Sequence, residues 1–389
     1  MSRRRDLSLL AAAALPLILG TSAPAPSAPR PSPDAGALVD VTRFGAKGDG
    51  IADDTAAFRA AAATGKGLRI PRPPDHYRLT GRVDVRGSVV GDGSMPEIRM
   101  YGATGSRDHA QTMFALDGYD GPGVVFRGLH LNGQWDGAGA DGEWSHLIQI
   151  QASRNVTVED NLLERPYGDC VYVGSRKGEG DGGRNIVVRN NTLRDPRRCA
   201  VAVVAAEGVT IAKNRIEKRH DYVAAIDLEP DPETRDAVKG VVIEDNDFDV
   251  AGAAVMFYTR PQNLPCGPVV VRENRATANR FVLKMEGTGR WEGLAITGNR
   301  YLGAGARGGL QSFVAIVGAE EVRIEGNRIA LARGDAPRGS GDLLRGVRAL
   351  RLADNEWSAG RSYPITVEQC PGARLERNRF SSARTELRP

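Results

Sequence analysis

Three observations predict an all-β chain wound as a single-stranded right-handed parallel β-helix, a solenoid of about ten to eleven coils with a short N-terminal capping helix. First, a short template, apolar-x-apolar-x-x-Asn, recurs nine times at spacings of 23–32 residues. Second, each template has a companion short apolar strand, such as Val171/Val173, Val201/Val203 or Ile365/Val367, with no helical period between them. Third, 47 glycines and 22 prolines favour many turns over long helices.

In chain order, the first element is an export signal over residues 1–22. Arg3, Arg4 and Arg5 precede an apolar run from Leu7 to Leu19, followed by Gly20, Thr21 and Ser22. That run falls short of the ~20 apolar residues a bilayer span needs, so no stable membrane insertion is expected. Ser2–Leu7 resembles a twin-arginine signal, with Asp6 where that pattern prefers an aromatic residue. Residues 23–37 are rich in Pro, Ala and Ser and read as an extended linker. The β-helix domain then runs over 38–389, with 38–65 as its capping segment. Asp53 or Asp54 can cap a helix to about Ala63, which would plug the open end of the solenoid. The expected location is secreted and extracellular.

The coils follow. The template ends on Asn161, Asn191, Asn214, Asn246, Asn274, Asn299, Asn327, Asn355 and Asn378. Alternate strand residues face opposite sides, so its two apolar positions share one interior. The chain must then turn, and asparagine tolerates the left-handed conformation of such turns. Stacked asparagines can also hydrogen-bond along the ladder, which makes them structural. Val124/Phe126/Leu129 and Val83/Val85/Ser88 are degenerate earlier coils. Of the four cysteines, Cys170 and Cys199 begin neighbouring repeats; a disulfide and two free buried thiols are both open readings. No spacing suggests zinc. A net charge of +4 gives no electrostatic case for nucleic acid.

The phase of the repeat points to the chemistry. In Val223–Pro230, Ile226 and Leu228 take the interior, so Asp227 and Glu229 project outward with backbones roughly 6.5–7 Å apart. Carboxylates about 6.5–9.5 Å apart suit inverting glycoside hydrolysis. Like-charge crowding would raise one carboxyl pKa and keep an acid available near neutral pH. In the next coil Val255 and Phe257 face in, which turns Met256 and Tyr258 out. In the coil after, Leu283 and Met285 are taken as interior, which turns Lys284 and Glu286 out. His220-Asp221 precedes the Asp227 strand, and His146 begins another. The insertion 132–144 carries Trp135 and Trp144, whose rings could stack on sugar CH faces. Tyr167 and Tyr172 lie beside Asp169 in sequence.

The stretch Val41-Thr42-Arg43-Phe44-Gly45-Ala46-Lys47-Gly48-Asp49-Gly50 and its continuation Ile51–Phe58 closely resemble the N-terminal signature of the pectate-lyase-like superfamily, in the branch of rhamnogalacturonases, polygalacturonases, epimerases and phage tailspikes. Within that signature, Asp49, Asp53 and Asp54 read as turn and cap residues. The resemblance implies a polysaccharide or oligosaccharide substrate, hydrolysed, eliminated or epimerised in a groove on the outer face of one sheet. Gly168-Asp169-Cys170-Val171-Tyr172-Val173 is similar to the polygalacturonase segment with paired aspartates, although Gly168 replaces the first. That makes Asp169 a third catalytic candidate. The family's Gly-His-Gly and Arg-x-Lys elements have no counterpart, so a standard polygalacturonase is excluded.

Three functions are therefore expected. The first is a cofactor-free glycoside hydrolase using Asp227, Glu229 and Asp169, with Tyr258, Lys284, Glu286, His220, Trp135, Trp144 and Tyr172 binding substrate. The second is a lyase or epimerase, with Lys284 or Tyr258 as base and Ca²⁺ held by Asp227, Glu229 and Glu286. The third is a non-catalytic glycan-binding or envelope protein.

Overall fold

The computed structural model describes residues 37–389 except 108–110, 139–141, 177–178, 232–233, 259–263, 285–288, 304–309, 332–338, 359–362, 382–383 and 389. The export segment 1–22 and all but the last residue of the 23–37 linker lie outside the described residues. Three parallel sheets of 13, 12 and 12 strands run the length of the domain. Each strand pairs with its counterpart in the coil before and after, as in Val241↔Val269 and Val269↔Leu294. The fold is a right-handed parallel β-helix. It has more rungs than expected, because the early rungs at Leu38–Asp40 and Gly67–Ile70 form without the asparagine template.

Each coil runs from a template strand on the first sheet, through the asparagine turn, to the second sheet and on to the third. Template residues such as Val156, Val158, Ile186 and Val188 are fully buried. Each such side chain is worth about 1.5–3 kcal/mol of burial, so the interior stack supplies the main folding drive. Phe281 stacks on Phe313 at 5.4 Å and 17° in the same interior.

The asparagines form a continuous buried ladder. The Asn274 N–H and Nδ2 both donate to Asn299 Oδ1 at 3.0 Å, while Nδ2 also donates to the Ile243 carbonyl at 2.9 Å. The same pattern holds from Asn161 to Asn378. The asparagines themselves do not take up the left-handed conformation expected of them. The left-handed residue is the one before each asparagine: Asp160, Asn190, Lys213, Asp245, Glu273, Gly298, Gly326, Asp354 and Arg377 all have φ between 51° and 65°. Asparagine is required for its side-chain amide, which caps the turn and bonds to the next rung.

The capping helix spans Thr55–Ala62. Phe58 is fully buried, with its ring 5.3 Å from Tyr77 and 6.4 Å from Phe114, closing the end of the interior. Asp53 Oδ1 accepts from the Thr55 N–H at 3.0 Å. Asp54, at the N-cap position, accepts instead from the Lys47 and Gly48 N–H groups, and Asp49 accepts from those of Ile51 and Ala52. All three aspartates organise the cap.

Cys170 and Cys199 are buried free thiols. The register of their strands pairs Val171 with Val201, so Cys170 is level with Ala200, and Cys199 falls one residue early. Cys170 joins the interior cluster and Cys199 does not. A bridge between them is ruled out by this half-period offset.

Among the described residues no helix is long and apolar enough to cross a membrane.

Candidate active site

The third sheet builds the site. Register aligns Tyr172, Ala202, Asp227, Met256 and Leu283 in one outward column on its strands. Two residues on, Glu229 and Tyr258 begin a second column past the strand ends; the Tyr258 N–H bonds the Leu228 carbonyl at 3.0 Å. Turns and the insertion wall these columns into a cleft of about 600 Å³. Glu229, Met256, Tyr258 and Leu283 line it from the sheet side, Arg198 and Tyr222 from turns, and Glu143 from the insertion.

Asp227 and Glu229 come together as the phase of the strand predicts. Asp227 faces outward yet is only 1% exposed, because the cleft walls cover it. Neither of its carboxyl oxygens receives a hydrogen bond from a donor among the described residues. The neighbouring acid is Glu229, two residues on along the same face, and its charge acts on Asp227. Burial first, and then the Glu229 charge, hold the Asp227 carboxyl well above its ordinary value. Burial also raises Glu229, while the contact with Asp227 offsets part of the rise. The two carboxyls therefore form one interacting acid pair. The expected separation of roughly 6.5–7 Å described the backbones and does not fix the distance between the carboxyls, so it gives no argument for inversion.

Asp169 lies beneath the cleft wall, 1% exposed. Its Oδ1 accepts from the Cys199 N–H at 2.9 Å and is 3.5 Å from Arg198 Nε. Its Oδ2 is 3.1 Å from His146 Nδ1. Burial pushes Asp169 up, but His146, Arg198 and the Cys199 N–H outweigh it and hold the carboxylate below its ordinary value. The same Nδ1 is 3.1 Å from the Asp169 N–H, so it donates to the carboxylate when protonated and accepts from the backbone when not. Arg198 connects the two halves of the site: it reaches Glu143 Oε1 at 3.0 Å, and its charge acts on Asp169, Asp227 and Glu229.

Other expected residues are placed differently. Lys284 points inward, level with buried Phe257, is 1% exposed, and donates from Nζ to the Val317 carbonyl at 2.5 Å. Burial pushes its pKa down to about 8. The strand Arg280–Lys284 is one residue out of the expected phase: Val282 is interior and Leu283 faces the cleft. Trp135 is 9% exposed, its Nε1–H bonds the Ala138 carbonyl at 2.7 Å, and its ring packs on His220 at 4.8 Å. The ring of His220 is therefore turned to Trp135 and the Pro196 carbonyl, 2.9 Å away, and neither residue lines the cleft. Trp144 is half-buried under Arg107, and Tyr172 stacks on His146 at 4.7 Å; both surround the Asp169 pocket instead of the cleft. Glu286 lies outside the described residues.

Sequence reasoning passed over Arg198, Glu143 and Tyr222. Tyr222 is 61% exposed at the cleft, with the Arg197 guanidinium 5.0 Å from its ring centre. It is the aromatic surface that Trp135 was expected to provide. All three sit in turns, where strand alternation says nothing about side-chain direction.

Among the described residues no group of three or more His, Cys, Asp or Glu side chains converges as a metal site, and the expected calcium ligand Glu286 lies outside the described residues.

Residues 141–301 match the family described as right handed beta helix region. No curated protein sequence matches the chain significantly. Among solved structures, the chain is similar to PfbA, a surface adhesin of Streptococcus pneumoniae, with a TM-score of 0.67 at 14% identity over 90% of this chain and 93% of that one. It is also similar to the Dettilon tailspike protein, with a TM-score of 0.61 at 12% identity over 88% of this chain and 68% of that one. The N-terminal fragment of bacteriophage Phi29 gene product 12 gives a TM-score of 0.59 at 13% identity over 89% and 65%. The matched region and these structures share with this chain the architecture of a right-handed parallel β-helix.

Proposed function

We propose that this protein is a secreted, polysaccharide-active enzyme, a glycoside hydrolase whose acid is the Asp227–Glu229 dyad. The dyad carries the reading: two outward carboxyls, one fully buried without a donor and one lining the cleft, both raised by burial. Such a pair keeps a proton at pH values where an exposed carboxylate has lost it. Glu229 hands that proton to the leaving glycosidic oxygen, and Asp227 beneath it re-supplies it. Arg198 and Asp169 act as positioning residues that hold the wall, with Glu143 as the carboxylate available to activate water. Tyr222 and Tyr258 supply surfaces for sugar rings. The lyase reading loses its lysine base, because Lys284 points into the interior, which leaves Tyr258 as its base. The organisation proposed with this function is an export signal at 1–22, a linker at 23–37 and a β-helix domain over 38–389.

The test is product analysis after incubation with plant, algal and bacterial polysaccharides. New reducing ends without an ultraviolet-absorbing double bond, lost in Glu229→Gln, support the hydrolase. Unsaturated products would point to the lyase. Binding with no bond cleavage by the wild-type chain across the panel would overturn catalysis in favour of a glycan-binding surface protein.

A further inference from the structure

We propose a second binding site, on the second sheet: an arginine ladder that holds an extended acidic polysaccharide along the solenoid axis. It lies on a different sheet from the cleft and does not rest on the reaction proposed there. The residue after each ladder asparagine opens a second-sheet strand and faces solvent. In three successive coils this residue is Arg275, Arg300 and Arg328, aligned in register and exposed. Like charges directly opposite each other on neighbouring strands are destabilising. Among the described residues none of the three makes an ion pair.

In earlier coils of the same sheet, arginines are neutralised. Arg194 pairs with Glu164 and Glu217, and Arg215 with Glu217. The column itself meets Asp247 on one side and Glu356 on the other. Beside these three arginines the adjacent outward column carries no acid, reading Thr277, Leu302 and Ala330, whereas the two preceding coils carry Glu217 and Asp249 there. Leu302 is 43% exposed, an apolar surface set between the cations. The asparagines beneath are saturated within their own ladder and do not compete for the guanidinium groups.

The spacing selects the ligand. Coils repeat at ~4.8 Å, close to the length of one pyranose unit in an extended chain. Guanidinium groups bind carboxylates through paired hydrogen bonds. Successive sugars of an extended chain alternate in orientation, so every second carboxylate of a chain with one per sugar faces the sheet; that two-sugar repeat spans about two coils, the separation of Arg275 and Arg328, and the ring CH faces between them meet Leu302. Duplex nucleic acid, with a phosphate every ~3.4 Å per strand, is out of step.

The full chain is titrated calorimetrically at low salt with an oligogalacturonate of about twelve sugars, the same oligomer after carboxyl reduction, dextran sulfate and a single-stranded DNA 12-mer. The oligogalacturonate is expected to bind and the reduced oligomer not to. Arg300→Gln should weaken binding about tenfold or more, and Leu302→Asp should do the same by adding an anion to the stripe. The triple variant R275Q/R300Q/R328Q should lose the site and lower the salt dependence of log Kd by roughly one per contacting arginine removed. Unchanged far-ultraviolet dichroism and unfolding midpoint show that these surface variants fold. No oligogalacturonate binding by the wild type, undiminished binding in the triple variant, or loss only on Tyr222→Ala in the cleft would overturn the proposal. Tighter binding to DNA or dextran sulfate than to oligogalacturonate would overturn the assigned ligand class.

Discussion

Replacing Asn274 by leucine breaks the asparagine ladder at its middle rung. The Asn274 Oδ1 accepts from both the N–H and the Nδ2 of Asn246 at 3.0 Å, and Asn274 Nδ2 donates to the Ile243 carbonyl and to Asn299 Oδ1. Leucine removes all four bonds and keeps only the backbone donation to Asn299. The Asn246 N–H is then buried without a partner, at about 1–3 kcal/mol, and each of the other lost bonds adds about 0.5–1 kcal/mol. The expected destabilisation is about 3–5 kcal/mol. Asn378→Leu is the internal control. It ends the ladder and is only half-buried, so water can replace its partners and the loss should stay near 1 kcal/mol. Urea unfolding reports the difference in midpoint, and hydrogen exchange at the Asn246 amide locates it. A loss below about 1 kcal/mol for Asn274→Leu, or no difference from Asn378→Leu, would refute the idea that the side-chain amides are what this turn requires.

Four further outcomes are expected. If the dyad is the acid, Glu229→Gln should lower kcat at least 100-fold, on the order of one general-acid contribution, with KM little changed. Asp227→Asn should retain some activity but move the alkaline limb of the pH–rate profile downward, because the limb then reports Glu229 alone; an unmoved limb argues against a shared proton. Burial depresses Lys218 from 10.5 to about 8, so the folded state loses its proton first and stability rises with pH between about 8 and 10.5. Below pH 8 that penalty is fully present. Lys218→Met should therefore raise stability at pH 7 by on the order of 1–3 kcal/mol and give little above pH 10.5, a comparison two denaturation series can make. Finally, Arg198→Gln should raise the Asp169 pKa and weaken substrate binding more than it slows turnover. Titration of the Asp169 carboxyl by NMR separates this from a loss of packing, which would leave that pKa in place.

Much of the fold was legible in the chain, and so was the core of the site. Ile226 and Leu228 are buried where a two-residue period requires, and that alone turns Asp227 and Glu229 to one face. The same reasoning failed two coils later. In Phe281-Val282-Leu283-Lys284, three adjacent apolar residues support either phase; the choice of Leu283 and Met285 sent Lys284 outward, whereas hydrogen-bonded register with Val255 and Phe257 places Val282 and Lys284 inside. A lysine inside an apolar stack runs against any hydropathy rule, and only its carbonyl partner in another coil makes it tolerable.

Sequence alone determined the repeat, the interior positions and the ladder, because each depends on the backbone period and on neighbours at a constant offset. It also carried the Asn-Arg steps at 274–275, 299–300 and 327–328, whose meaning appears only when coils stack. Tertiary structure decided what covers the outward carboxyls, which aromatic ring reaches the cleft, and that Arg198 joins Asp169 to Glu143. Those contacts are made by turns. Their side-chain directions follow no period, and their partners come from other coils, 29 residues away for Arg198 and Asp169 and 55 for Arg198 and Glu143. The electrostatics of the dyad belong to the same class: a carboxyl's pKa depends on what excludes water from it, and only the packed walls of the cleft set that.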